Sequence, residues 1–285
     1  MMIIVDSGST KADWAIVYPD GRQELITTMG LNPFFQSQVE VEMVVQKEVL
    51  PLIDSETVGE IYFYGAGCHG AEQNNIIRHG LARFFPDAYI EVDHDLLGSA
   101  RATCGNQAGI ACIIGTGSNT CLYDGFKIVD NVDNLGYLLG DEGSGYYIGK
   151  LLIRDIFLRR MPKDVNKAFE AAYPLTKNQL MDKIYGGTPN VYIAGFAKFA
   201  SEHRDHPYIQ KLIGRSFEDL IKGYVLKYKG CHGLAIHFVG SIAYHFKDLL
   251  DLVLKKHRLR LGIIVQKPIQ HLVEYHKVVS TQLVK

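Results

Sequence analysis

Two glycine turns in this sequence have the composition of anion-binding turns. The segment Asp6–Lys11 (DSGSTK) lies between two apolar, β-rich runs, and the segment Ile114–Asn119 (IGTGSN) lies between two others. A turn of small residues lets backbone N–H groups point outward unobstructed, and threonine adds a hydroxyl donor. Either turn alone is also explained as an ordinary hairpin. As a pair, one in each half of the chain, they indicate a site that holds neighbouring phosphate groups from two sides.

Acidic residues lie at positions where such a phosphate-binding site could use them. Asp6 ends the first predicted strand, where it is an acceptor suited to Mg²⁺ or its bound waters. Asp95 follows another predicted strand and precedes a helix. An aspartate at this position can cap the helix, but one cap needs only one aspartate, and Asp93 lies two residues earlier. Asp141 and Glu142 lie between glycines ahead of a further helix, where capping is the alternative explanation. His94 has no second His or Cys at ligand spacing, so we expect it to be structural.

A competing signal is the segment Gly65–Gly70 (GAGCHG), which satisfies the dinucleotide fingerprint GxGxxG and has an acid further on at Asp93. The segment follows three predicted strands and a helix instead of opening its lobe. Dinucleotide binding would also leave the paired turns unexplained. We therefore regard it as the weaker alternative.

The elements that position these residues alternate between strands and helices. In the first half we predict strands at Met2–Val5, Asp13–Tyr18, Gln23–Thr28, Glu60–Tyr64 and Tyr89–Val92, and helices at Ser37–Ile53 and Ala71–Phe85. The second half opens with a similar hairpin and becomes mainly helical, with helices at Tyr146–Arg160, Thr176–Tyr185, Tyr192–His203 and Pro207–Lys229. The repeated hairpins, each followed by an Asp-Gly turn, predict a duplicated fold.

Composition narrows the class of protein. The 285 residues are 47% hydrophobic and 21% charged, enough for two ordinary domains with sizeable cores. The net charge of −1 gives no basic face for nucleic acid or an anionic membrane. We find neither a signal peptide nor an apolar run that could span a bilayer, so the expected location is the cytoplasm. The five scattered cysteines predict buried free thiols instead of disulfides or a zinc site.

The motifs together carry a resemblance that covers nearly the whole chain, from about Ile3 to His276. Their order and spacing are similar to the N-acetylglucosamine kinase branch of the actin-like ATPases and sugar kinases, which is close to the dehydratase-activating ATPases named after benzoyl-CoA reductase. The segments that carry it are DSGSTKADW, GLNPFF, DHDLLGS, IGTGSN, GDEGSGYYIG, AGFAKFA and VGSIA.

The resemblance implies an α/β fold of two actin-like (ribonuclease H-like) lobes with a cleft between them. It gives an N-terminal lobe over 1–105 and a C-terminal lobe over 106–285 with a helical insertion. The last helix, about 269–284, is a candidate to pack back on the N-terminal lobe. The implied reaction is transfer of phosphate from ATP, with Mg²⁺, to the 6-hydroxyl of N-acetylglucosamine or a related amino sugar.

The resemblance also implies roles for individual residues. Asp95 is the general base, and Asp6 holds Mg²⁺ through water. The implied ATP and phosphate contacts are Gly8, Ser9, Thr10, Lys11, Gly115, Thr116, Gly117, Ser118, Gly195, Gly240 and Ser241. The implied sugar contacts are Asn32, Asn119, Leu135, Gly136, Tyr137, Asp141 and Glu142. Leu135 and Tyr137 depart from the tryptophan and histidine of the family, which leaves the identity of the sugar open.

Two other functions remain as alternatives on the same scaffold. An ATPase activator of a radical dehydratase would need cysteines that hold an iron–sulfur cluster between subunits, and no cysteine pair fits that role. A nucleotide-gated sugar sensor would have no need for a base such as Asp95. The small-molecule partner we expect is an amino sugar, and the sequence leaves open whether the chain forms a homodimer.

Overall fold

The first sheet begins with three antiparallel strands, because the turns between them are short and rich in Gly, Ser and Asp. The structure is a computed structural model that describes residues 1–54 and 57–283, with side-chain surroundings as far as 278. The strands are β1 (Met2–Ser7), β2 (Lys11–Val17), β3 (Gln23–Met29), β4 (Glu60–Gly65) and β5 (Tyr89–His94). Their order across the sheet is β3-β2-β1-β4-β5, with β4 and β5 parallel to β1.

Helices make the crossovers that parallel strands require. The crossover helices are α1 (Gln38–Val44), between β3 and β4, and α2 (Ala71–Ala82), between β4 and β5; α3 (Asp95–Cys104) follows β5. The single helix predicted over Ser37–Ile53 begins as expected, with a capping box between Ser37 and Glu40. It then changes to a π-helical turn at Val45–Val49 and a 3₁₀ turn at Leu50–Leu52. Pro51 has no N–H for a helical hydrogen bond, which explains why α-helix does not continue there.

The second sheet repeats the first. Its strands are β6 (Gly109–Ile114), β7 (Ser118–Tyr123), β8 (Ile128–Asp130), β9 (Ala235–Val239) and β10 (Arg260–Val265). Their order is β10-β9-β6-β7-β8, with β6, β7 and β8 antiparallel in sequence and β9 and β10 parallel to β6. Strand for strand, this is the arrangement of the first sheet, so the predicted duplication is confirmed.

The long segment between β8 and β9 is helical, as predicted. It contains α4 (Gly136–Leu139), α5 (Gly145–Phe157), α6 (Lys163–Ala172), α7 (Lys177–Tyr185), α8 (Pro189–Ala194), α9 (Ala197–Glu202) and α10 (Pro207–Gly223). Two helices, α11 (Ser241–His245) and α12 (Lys247–Lys256), connect β9 to β10, and α13 (Ile269–Leu283) follows β10. Within the described ranges, no helix combines the length and apolar character needed to cross a membrane.

The chain divides into two compact units, each with its own hydrophobic core. The first unit comprises Met1–Gln107, Gly125–Lys127 and the residues from Lys267 onward; the second comprises Ala108–Asp124 and Ile128–Gln266. In the first unit the one tryptophan of the sequence, Trp14, is fully buried and donates a hydrogen bond to Thr28.

A polar network attaches α13 to the first sheet. The hydroxyl of Tyr64, on β4, lies 2.8 Å from Nε2 of His276, on α13. Arg101 donates to the same hydroxyl at 2.6 Å, so the tyrosine donates onward to the histidine. The His276 ring also stacks on Tyr62, with 3.8 Å between ring centroids.

Candidate active site

The first glycine turn connects β1 to β2. The N–H of Gly8 donates to the carbonyl of Lys11 at 3.0 Å, which closes the turn, and the residues from Gly8 to Lys11 are exposed. The buried Ser7 hydroxyl accepts from the N–H of Leu31 at 2.8 Å and donates to its carbonyl at 3.1 Å. The turn is therefore fixed at its base while the predicted phosphate contacts, Ser9 and Thr10, face solvent.

Gly30 supports this turn from behind. A Cβ at this position would lie 2.3 Å from the Gly8 carbonyl oxygen and 2.6 Å from the Lys11 nitrogen. Because both atoms belong to the backbone, neither can move aside without displacing the turn. Gly30 is thus a residue that the candidate site requires and that sequence reasoning did not assign a role.

Asn32, predicted to contact the sugar, is buried next to the same turn. Its side-chain amide donates to the Ser9 hydroxyl at 2.7 Å, and its side-chain oxygen accepts from the N–H of Phe34 at 3.0 Å. Both ends of the side chain are therefore satisfied within the chain. In this structure Asn32 connects the first glycine turn to the GLNPFF loop.

Asp6 lies among other charged groups in the first unit. It is opposite Asp13 in the β1–β2 register and half-buried. Burial, and then the charges of Asp95 and Asp13, raise the pKa of Asp6 to about 7, while Lys267 opposes them. Burial also acts on Asp13, but hydrogen bonds from Lys267 and Thr27 hold its pKa below the usual value. The Lys267 ammonium is 2.8 Å from the Asp13 carboxylate.

This donor set fits a magnesium ion that binds together with its own waters and phosphates. Half-buried carboxylates close to one another are stabilised by a divalent cation, and oxygen ligands are those that Mg²⁺ prefers. Among the described residues, no group of three or more His, Cys, Asp or Glu side chains could hold a metal by itself. Mg²⁺ at Asp6 therefore stays a prediction, in which water and a nucleotide would supply the other ligands.

Asp95, the predicted base, is the first residue of α3, directly after β5. Its side chain is 27% exposed, so a ligand can reach the carboxylate. The preceding residue, His94, is the N-cap of α3 and accepts from the N–H of Leu96 through Nδ1 at 2.8 Å. The same Nδ1 lies 2.9 Å from Oδ1 of Asp95. His94 is thus in direct contact with the candidate base.

The Gly65–Gly70 loop, considered above as a dinucleotide fingerprint, packs around these residues. It follows β4, and the N–H of Ala66 donates to the Ser7 carbonyl at 2.8 Å. The His69 ring lies edge-on against the His94 ring, with centroids 4.1 Å apart. Burial and then the Asp95 and Asp93 charges raise the pKa of the Cys68 thiol to about 12. The loop therefore forms part of the surroundings of Asp95.

The second glycine turn, between β6 and β7, is supported by the start of α5. The N–H of Gly145 donates to the Gly115 carbonyl at 2.9 Å, and the N–H of Tyr146 donates to the Thr116 carbonyl at 3.0 Å. Within the turn, the N–H of Gly115 donates to the Gly117 carbonyl at 2.9 Å. The first N–H groups of a helix have no partner inside the helix, and here the turn satisfies them.

The predicted adenosine turn touches this second glycine turn. Gly240 has a φ of +120°, and a Cβ on it would lie 2.3 Å from the Ile114 carbonyl oxygen. Beside it, Gly195 and Ser241 line one cavity of about 560 Å³, together with Lys198, Glu202 and His245. Predicted nucleotide contacts that are far apart in the sequence are thus neighbours within the second unit.

Asp141 lies next to the second turn and is buried. Its Oδ1 accepts from the N–H of Ser118 at 3.0 Å, and its backbone is in the left-handed region with a φ of 59°. Burial raises the pKa of this carboxyl above its usual value, against the hydrogen bonds from Ser118 and Asn134. Such a backbone conformation is uncommon for a residue other than glycine and is often found at functional sites.

The other predicted sugar contacts of the second unit differ in how they are held. Glu142 accepts from the Tyr224 hydroxyl at 2.7 Å, and the side-chain oxygen of Asn119 accepts from the N–H of Thr120 at 2.9 Å. Tyr137 packs edge-on against Tyr146, with centroids 5.2 Å apart. Leu135 is 65% exposed, and Gly136 begins the short helix α4.

Sequence reasoning missed Asn134, which organises this region. Its side-chain amide donates to the Ser118 carbonyl at 2.5 Å, and its side-chain oxygen accepts from the N–H of Gly136 at 2.8 Å. An asparagine two residues before a glycine is a known turn signal, so the sequence contained a hint. Lys267 carried no such signal, because nothing local relates it to Asp13.

A glycine turn between the first two strands of each sheet, with a carboxylate after the fifth strand of the first, is the arrangement of the actin-like ATPases and sugar kinases. Comparison with solved structures agrees. A candidate N-acetylglucosamine kinase from Porphyromonas gingivalis is 42% identical, with a TM-score of 0.92 over 97% of this chain and 98% of that one. The chain therefore belongs to the N-acetylglucosamine kinase-like family of actin-like sugar kinases.

More distant structures share the fold. A candidate N-acetylglucosamine kinase from Chromobacterium violaceum is 19% identical, with a TM-score of 0.70 over 96% of this chain and 98% of that one. A ROK family glucokinase from Streptomyces griseus, solved with glucose and AMPPNP, is 16% identical, with a TM-score of 0.55 over 97% and 98%. No protein-family profile matches the chain. The predicted fold and the predicted class, a phosphotransferase with an alcohol acceptor, are confirmed.

Proposed function

We propose that this protein transfers the γ-phosphoryl group of ATP to the 6-hydroxyl of N-acetylglucosamine or a closely related amino sugar. The observation that carries the proposal is the 42% identity to the P. gingivalis protein over nearly the full length of both chains. With ATP as the donor, the expected compartment is the cytoplasm.

Asp95 is the proposed general base. Its carboxylate accepts the proton of the sugar hydroxyl while the hydroxyl oxygen forms a bond to the γ-phosphorus. The bond between that phosphorus and the bridging oxygen of ATP breaks, and ADP leaves. The partial exposure of Asp95 at the start of α3 is compatible with this role.

The two glycine turns are the proposed phosphate contacts, with Thr10 and Thr116 as hydroxyl donors. Gly240 and Ser241 are proposed to face the adenosine, and the 560 Å³ cavity beside them is large enough for a small-molecule ligand. Mg²⁺ bound near Asp6 would neutralise charge that develops on the phosphates. The chain's own contribution is to keep Asp6 among groups that favour a cation there.

The amino sugar is proposed to contact Asp141, with Asn32 as a further contact after its bond to Ser9 opens. A buried carboxylate that reads hydroxyl groups discriminates strongly, because a missing partner leaves it unpaired. The dehydratase-activator alternative gains no support: all five cysteines are buried, so none is presented for a shared cluster.

The test is a coupled ADP-release screen over N-acetylglucosamine, glucosamine, N-acetylmuramic acid, N-acetylmannosamine and glucose. We expect sugar-dependent ADP release that is highest with an N-acetylated amino sugar. A 6-deoxy analogue of the preferred sugar is the matched control and should give no release above the sugar-free rate. Release that is independent of sugar, or undiminished with the 6-deoxy analogue, would contradict the proposal.

A further inference from the structure

His69 lies in the loop after β4 with its side chain exposed. Its ring centroid is 6.0 Å from that of Phe34, and it lies edge-on against the His94 ring, with centroids 4.1 Å apart. These are ring contacts, and neither ring nitrogen of His69 has a hydrogen-bond partner within the described part of the chain. The polar atoms of this imidazole are therefore free to bind a ligand.

The backbone around His69 is held firmly in place. The N–H of His69 donates to the Gly67 carbonyl at 3.0 Å, and the next residue, Gly70, is the N-cap of α2. Gly67 has a φ of +86°, and a Cβ on it would lie 2.3 Å from Oδ1 of Asn32 and 2.9 Å from Cδ2 of Phe34. The GLNPFF loop thus lies directly against the loop that carries His69, with no space for a side chain between them.

Two residues predicted to meet the sugar adjoin His69 through different neighbours. Asn32 accepts from the N–H of Phe34, whose ring contacts His69. The Asp95 carboxylate is 2.9 Å from Nδ1 of His94, whose ring also contacts His69, and its charge acts on the His69 ring. A sugar that contacts both Asn32 and Asp95 would therefore lie against the His69 imidazole.

The His69 ring is uncharged near pH 7. Partial burial, and then His94, lower its pKa below the usual value near 6.5, while Asp95 opposes them. A neutral imidazole has one donor and one acceptor nitrogen, and a sugar hydroxyl can donate to the acceptor or accept from the donor. His69 thus offers a hydroxyl group a partner in either orientation, whereas the Asp95 carboxylate only accepts.

We propose that His69 is a specificity-determining residue for the sugar: its imidazole forms a hydrogen bond with the 3- or 4-hydroxyl of an amino sugar whose 6-hydroxyl meets Asp95. The proposal rests on the proposed function, because the role of Asp95 fixes which end of the sugar lies near the loop. The 4-hydroxyl is on the carbon next to the one that bears C6, and the 3-hydroxyl follows it. The N-acetyl group and the anomeric hydroxyl are farther along the ring.

Three variants test this contact. His69→Phe keeps an aromatic ring beside Phe34 and His94 but removes both nitrogens, and His69→Gln restores one donor and one acceptor. His79→Phe, at an exposed position of α2 in the same unit, is the matched control. Thermal unfolding of each variant verifies that it is folded before its binding is compared.

Binding is measured by calorimetry without turnover, first with N-acetylglucosamine. We expect His69→Phe to raise the Kd of this sugar at least about fivefold, in line with the loss of one hydrogen bond. His69→Gln should recover part of that loss, and His79→Phe should stay within about twofold of the wild type. The Kd for ATP should be unaltered in all three variants.

The 3-deoxy and 4-deoxy analogues of N-acetylglucosamine show whether the imidazole meets a hydroxyl. One of them should bind the wild type at least about fivefold more weakly than the parent sugar. His69→Phe should bind that analogue as tightly as the parent sugar, because the two changes remove the same contact. A Kd that His69→Phe leaves unchanged, or deoxy penalties that are the same in the wild type and this variant, would overturn the proposal.

ADP release by the same proteins separates this proposal from the proposed function. If the binding results are as expected but no sugar supports turnover, the His69 contact stands and the proposed function fails. If the wild type phosphorylates the sugar while His69→Phe binds it equally tightly, the contact fails and the proposed function stands. Absence of N-acetylglucosamine binding to the wild type would also overturn the contact.

Discussion

The α-carbon of Gly240 faces the carbonyl oxygen of Ile114 so closely that a methyl group on it would lie 2.3 Å from that oxygen. The end of β9 is thereby in backbone contact with the end of β6, and the predicted adenosine turn touches the predicted phosphate turn. Since neither backbone can yield alone, the position of one turn determines that of the other.

Replacement of Gly240 by alanine should disturb both turns. The φ of +120° is strained for alanine, and the clash with Ile114 adds to this, so we expect a loss of about 1–3 kcal/mol in stability. The KM for ATP should rise by at least about tenfold, which corresponds to about 1.4 kcal/mol. Gly233→Ala is the control, because no atom lies within 4 Å of a Cβ there. An unaltered KM for ATP in Gly240→Ala would show that the turns do not depend on each other.

Asp95→Asn should abolish most turnover and preserve binding. The amide has nearly the same shape but cannot accept the hydroxyl proton, so kcat should fall by roughly 10²- to 10⁴-fold. Dissociation constants for ATP and sugar, measured by calorimetry, should change little. Asp93→Asn is the neighbouring control, because Asp93 bonds the His94 backbone and not a reacting group. Substantial turnover in Asp95→Asn would remove this residue from the role of base.

Asp141→Asn tests the sugar contact without disturbing the backbone. Asparagine tolerates the left-handed conformation of this position, and its oxygen can still accept from Ser118. The loss of a charged acceptor should raise the KM for the sugar by about tenfold or more and leave the KM for ATP within about twofold. The exposed Asp133 provides the control variant, Asp133→Asn. Equal effects on both substrates would instead indicate a structural role.

His276 should make the first unit sensitive to acid. Burial lowers the pKa of His276 to about 3, whereas an unfolded histidine titrates near 6.5. Between these values the unfolded chain binds a proton that the folded chain does not, so stability falls as the pH decreases from about 6.5. This one group can contribute up to about 1.4 kcal/mol per pH unit.

The measurement is urea unfolding followed by the fluorescence of Trp14, which is buried in the same unit as His276. His276→Gln should be less stable than the wild type at pH 7.5 and should show a shallower loss between pH 6.5 and 4.5. His79→Gln, at an exposed position of α2, should parallel the wild type. Identical pH profiles for wild type and His276→Gln would contradict the expectation.

Much of the fold could be read from the sequence, because its strands are short apolar runs bounded by clear turns. Both hairpins, their repetition and the helical insertion were predicted in this way. Short helices were harder: the predicted helix Tyr192–His203 is two helices, α8 and α9, that meet at Gly195 and Phe196. The helix α6 was not predicted at all. The six-residue helices α8 and α9 are too short for a reliable helical period, and packing against their neighbours decides their structure.

The candidate site, too, could be predicted from the sequence only in part. Residues within motifs could be chosen by type and spacing, and the roles proposed for them remain predictions. The contact between His94 and Asp95 could not be foreseen, since it depends on two side-chain rotamers and not on spacing. The pairing of Lys267 with Asp13 depends on where distant parts of the chain return to the first sheet.

The late position of Lys267 and His276 in the sequence has a consequence for biosynthesis. Within this sequence the first unit begins before the second but is completed only by the residues from Lys267 onward, which supply Lys267 to Asp13 and His276 to Tyr64. The second unit is nearly continuous in sequence and can finish folding before these residues emerge. The unit that begins earlier in the sequence is therefore the one completed later, and until α13 follows, the nascent chain leaves the first sheet without the helix that packs on β1 and β2, a surface that chaperones would be expected to protect.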